Sequence, residues 1–112
     1  MNVVFRCAVV FVFCLSAVAH SADMTSWVGR DVDNKNVFWT CSKAGGDNWK
    51  LKKDGVTVGE YEGVTSTSEF VELQLKGGKS YDRVRLYGTK LSMNKEGSKT
   101  EWLEIARGKW SN

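Results

Sequence analysis

Four residues at alternating positions offer the plainest chemistry in this chain: Tyr81, Arg83, Arg85 and Tyr87. On a strand they share one face, with Asp82, Val84 and Leu86 on the other. The second face is the more apolar, so the first is expected to point outward. Two phenols and two guanidinium groups can grip a carboxylate, a sugar or a protein surface, and Arg and Tyr are common interface anchors. The same stripe has a structural reading. Glu72 opposite Arg83 makes a cross-strand ion pair and Phe70 opposite Arg85 a cation–π pair, both ordinary ways of stabilising a sheet.

The five tryptophans are Trp27, Trp39, Trp49, Trp102 and Trp110. A small domain needs large apolar groups, so some of them belong to the core. Trp39 and Trp49 fall on expected inner faces. Trp102 and Trp110 are the candidates for exposure, either stacking on sugar rings or a partner, or covering a barrel end. Lys50, Lys52 and Lys53 form a second basic patch. It is suited to weak attraction of anionic polymers, or simply to keeping an outer strand solvated.

The missing histidine excludes more. His20 is the only one in the chain, so a folded body beyond it has no imidazole base for Ser-His-Asp or Cys-His catalysis. As a new N-terminal residue His20 would offer a metal one amine and one ring, with no second histidine to complete a site. No metal and no cofactor is expected, and no phosphate-binding glycine motif occurs. Glu60 and Glu62 share a strand face, and Glu101 and Glu104 lie close in sequence. Glycan hydrolysis needs two carboxylates facing across a cleft, for which a chain this short has little room.

Composition sets the context. The chain has 112 residues, 42% hydrophobic and 26% charged, with a formal net charge of +3. That is enough for one folded domain and argues against disorder. The charge is too modest for a dedicated nucleic-acid binder. Residues 1–21 read as a secretory signal peptide: one cation in the first six residues, an apolar run over 7–17, then small residues. The run is too short to span a membrane. Cleavage is expected after Ala19 or Ser21, giving a secreted or periplasmic product. Neither Cys7 nor Cys14 follows a lipoprotein anchor pattern. A cut after Ser21 removes 21 residues, leaves 91 and lowers the net charge to +2, since Arg6 is lost. Cys41 then remains alone. It is expected to be a buried, inert thiol, with a disulfide-linked dimer as the alternative.

The elements that must position these residues read as strands. Residues 22–112 show no sustained helical period, and Gly, Asn and Asp supply the turns because proline is absent. Strands are expected near 25–29, 36–42, 49–53, 56–61, 69–76, 79–87, 91–93 and 100–106. Asp54-Gly55 is a two-residue hairpin signal. It pairs Lys53 with Val56, Lys52 with Thr57 and Leu51 with Val58. Gly77-Gly78 as a loop pairs Val71 with Val84, Glu72 with Arg83 and Phe70 with Arg85. The fold class is therefore all-β, a small antiparallel meander of seven or eight short strands forming a barrel or sandwich. Side chains should fill so small a barrel and leave no large internal cavity. The function expected is that of a secreted, non-enzymatic binding module acting on a protein partner, through Tyr81, Arg83, Arg85, Tyr87, Trp102 and Trp110. Carbohydrate or cell-wall binding through exposed aromatics is the alternative, followed by a small glycan hydrolase.

Overall fold

The structure, a computed structural model, describes residues 24–111; the signal-peptide segment and its cleavage positions lie outside them. Eight strands follow one another: β1 (Ser26–Asp31), β2 (Phe38–Gly45), β3 (Asn48–Lys53), β4 (Val56–Ser66), β5 (Phe70–Leu75), β6 (Arg83–Tyr87), β7 (Lys90–Asn94) and β8 (Trp102–Trp110). Each pairs antiparallel with the next, and β8 returns to β1, so the sheet closes into a barrel. Closure removes both free edges, which matters because the described residues hold no helix with which to cover one.

The turns follow from residue type. Asp54 and Gly55 both adopt positive φ, at 51° and 82°, as a tight two-residue hairpin demands. The pairing of Lys53 with Val56 and of Lys52 with Thr57 is as expected, but Leu51 then faces Gly59, because a bulge leaves Val58 unpaired. The second hairpin is also corrected. Leu73 faces Val84, Glu72 faces Arg85 and Gln74 faces Arg83, two residues from the expected register. A shift of two keeps every side chain on its face, since the side-chain period is two. The cause is a longer loop. The Asp82 carboxylate accepts from the Lys79 amide at 2.7 Å, and the Gln74 side-chain amide donates to the Lys79 and Asp82 carbonyls. These bonds hold residues 76–82 out of the ladder, so β6 begins only at Arg83.

Inside, alternate residues of all eight strands meet. Trp27, Leu73, Leu86 and Leu91 are fully enclosed, and Trp39, Cys41, Trp49, Leu51, Tyr61, Val84 and Ala106 complete the core. The indole N–H of Trp27 donates to the Tyr87 carbonyl at 2.8 Å, and that of Trp39 to Asp31 Oδ1 at 2.9 Å. Both rings therefore bury their apolar area without stranding a donor. Cys41 has 0% exposure, and burial pushes its thiol up to about 12. A disulfide-linked dimer through Cys41 would require the barrel to open. On the seam between β1 and β8, Gly29 faces Gly108. A Cβ on Gly29 would lie 2.5 Å from the Trp27 ring, and one on Gly108 only 1.9 Å from the Val28 carbonyl oxygen. The absence of side chains there lets the two backbones close around the largest enclosed ring.

Candidate functional site

The outer faces of β5, β6, β7 and β8 carry a connected group of rings and charges. In β6 the core takes Val84 and Leu86, which leaves Arg83, Arg85 and Tyr87 outside. In β5 the outward residues are Phe70, Glu72 and Gln74, each directly opposite one of those three. Glu72 is central. Its carboxylate accepts from Arg83 Nη1 through one oxygen and from Arg85 Nε at 2.8 Å through the other. Only 7% of Glu72 is exposed. Burial works to raise its pKa, but the hydrogen bonds from Arg85 and Arg83 outweigh it and hold the carboxyl below its ordinary 4.5. Arg83 Nε also donates to Gln74 Oε1 at 2.9 Å, which fixes the plane of that guanidinium.

Arg85 joins the two halves of the face. Its guanidinium carbon lies 4.3 Å from the centre of the Phe70 ring and 4.2 Å from that of Trp102. To reach Trp102 it must pass over β7. In register the residue between Arg85 and β8 is Ser92, which is small and buried. Phe70 tilts against Tyr87 with centroids 5.3 Å apart, and Lys90 Nζ stands 4.9 Å over the Tyr87 ring. Rings and cations thus run Trp102, Arg85, Phe70, Tyr87, Lys90 around the barrel wall. Burial opposes the charge on Arg85, yet contacts with Tyr87 and Glu72 raise its pKa. A guanidinium in a protein is not deprotonated, so it stays cationic.

A bulge decides where Trp102 points. Leu91 faces Ala106, but Ser92 faces Glu104, so Ile105 is skipped. Without it Trp102, Glu104 and Ala106 would share one face. With it Ala106 enters the core, while Trp102 and Glu104 stand outside. Bulges are a recurrent means of re-aiming side chains in this way.

The structure therefore brings together four of the six residues singled out on sequence: Arg83, Arg85, Tyr87 and Trp102. Phe70 and Glu72 join them, through the Arg85 ring contact and the shared carboxylate. Tyr81 is elsewhere, in the 76–82 loop, with Lys79 Nζ 5.9 Å from its ring centre. Trp110 is partly buried and packs against the core, edge-on to Trp49 with centroids 6.3 Å apart, in keeping with the second of the two placements expected for it. Glu60 and Glu62 stand exposed on the outer wall of β4, opposite Lys50 and Asn48. Among the described residues no three His, Cys, Asp or Glu side chains group as metal ligands. No family model, curated protein or solved structure matches the chain.

Proposed function

We propose that this chain is a secreted or periplasmic, non-enzymatic binding module that engages a protein partner through the outer face of β5, β6 and β8. Trp102, Arg85, Arg83 and Tyr87 are its anchors, with Phe70 beside them. The observation that carries the reading is the arginine held between two aromatic rings by a buried carboxylate. Binding normally loses free energy when rotamer-rich side chains are immobilised. Here the longest of them is already fixed in the free protein, and Trp, Tyr and Arg are the residue types that dominate interface energetics. A sugar platform needs an open ring face, and Arg85 covers one face of Trp102, which favours a protein over a glycan.

The test is capture from the secreted fraction on immobilised protein, run beside the double variant Arg83→Ala/Arg85→Ala. A partner retained by the parent and lost by the variant, with circular dichroism unchanged, supports the reading. Equal capture by both shows that the arginines serve only the sheet. Tryptophan fluorescence titrated with neutral and anionic polysaccharides addresses the alternative. A saturable change that survives salt assigns the face to a glycan instead.

A further inference from the structure

One recess among the described residues lies on the outer wall of the barrel, along β8, β1 and the start of β2. It is an open groove of about 910 Å³, within the size range of small-molecule sites. Val28, Val32 and Phe38 give it an apolar lining, with Val32 42% and Phe38 48% exposed. Four cations stand around that lining: Arg30, Lys35, Arg107 and Lys109. Only two carboxylates accompany them, and both are engaged. Glu104 is paired with Arg107. Asp31 accepts from the Trp39 indole and from the Asp33 amide. Lys35 and Lys109 have no carboxylate partner among the described residues. Arg30 is held flat, its guanidinium 4.6 Å over Phe38 and one N–H on the Lys35 carbonyl, and its other donors remain available.

We propose that this groove binds a single-chain amphiphile with an anionic headgroup, a free fatty carboxylate or alkyl phosphate. The hydrocarbon lies over Val28, Val32 and Phe38, and the headgroup meets Arg30, Lys35 and Lys109. Charge complementarity selects the head: the lining carries a surplus of two positive charges. The closed sheet selects the chain. Backbone groups of β1 and β8 are paired with one another under the groove, so the floor offers no strand edge to an extended peptide, which would need one. A hydrocarbon chain needs none. This site rests on different side chains from the partner-binding face and stands or falls separately.

The experiment is calorimetric titration of the purified protein with four twelve-carbon probes below their micellar concentrations: dodecanoate, dodecyl phosphate, dodecyl maltoside and dodecyltrimethylammonium. Saturable one-to-one binding of the two anions, about tenfold or more tighter than of the other two, is expected. The double variant Lys35→Glu/Lys109→Glu should weaken the anions by about tenfold and leave the maltoside unchanged. Both lysines are exposed, so the variant keeps its fold. Phe38→Ser, also at an exposed position, should weaken all four chains alike. No saturable binding, equal binding of all four heads, or anion binding indifferent to both variants overturns the proposal. So does sedimentation with phosphatidylglycerol vesicles without binding of free dodecyl phosphate, which would make the groove a membrane-contact surface.

Discussion

Two neighbouring stretches of the same barrel wall, meeting at β8, use similar residues to opposite ends. On the β5–β6–β8 face, Arg83 and Arg85 share the carboxylate of Glu72, and rings occupy the remaining directions around Arg85. On the β8–β1–β2 face, Lys35 and Lys109 have no carboxylate partner among the described residues, and Val32 and Phe38 are exposed. On the first face both guanidinium groups are tied to a buried carboxylate within the chain, so its interactions act first on stability. The second is unsatisfied, so its interactions become available only to a ligand. Charge count alone does not separate the two; the presence or absence of a buried counter-charge does.

The comparison can be broken most forcefully at the seam beneath the groove. Gly108→Ala sets a Cβ 1.9 Å from the Val28 carbonyl oxygen and 2.5 Å from the Gly29 Cα. Backbone on backbone cannot yield easily, and a loss of about 3 kcal/mol in urea unfolding is expected. Gly88→Ala meets nothing within 4 Å and should cost less than about 0.5 kcal/mol. Equal effects would show that the seam is not tight.

Next comes Glu72→Ala, which strands two guanidinium groups and should cost about 2 kcal/mol. The pH dependence gives its sign. The folded carboxyl titrates below its ordinary 4.5, so its contribution is complete above that value and lost as pH falls through the folded pKa. Unfolding curves followed downward from pH 4.5 should show the parent losing this increment progressively and the variant lacking that loss. A parallel decline in both would assign the acid sensitivity elsewhere.

Arg85→Ala removes one ion pair and two ring contacts at a partly exposed site, and about 1 kcal/mol is expected. Lys35→Glu/Lys109→Glu should leave the urea midpoint where it was. A midpoint drop for the lysine variant as large as that for Arg85→Ala would erase the distinction between the faces. The core they share supplies the smallest effect. Cys41, enclosed and with its thiol pushed up to about 12, should not react with a thiol reagent at pH 8 until the barrel unfolds. Nonreducing electrophoresis should show a single monomer band. Labelling of the native protein would mean that the wall near β2 opens.

Much of this molecule follows from local rules. The chain has no proline, and its glycines, asparagines and aspartates punctuate alternating apolar runs. That pattern specifies a strand meander, its Asp54-Gly55 hairpin and the burial of Trp39, Cys41 and Trp49. The outward stripe of Arg83, Arg85 and Tyr87 follows from the same alternation. Three things depended on the closed tertiary structure. The register of β5 on β6 was set by Gln74 and Asp82 stitching the loop, and a two-residue shift is invisible to a period of two. The side taken by Trp102 was set by the bulge at Ile105, which reverses the parity from which faces are counted. The groove was made by bringing β8 against β1, the last strand against the first. Arg30 and Lys109 are 79 positions apart in the sequence yet line the same recess. Alternation is a property of neighbours along the chain. Counter-charge, register and closure are properties of neighbours in space, and these decided which cations were satisfied and which were left to bind.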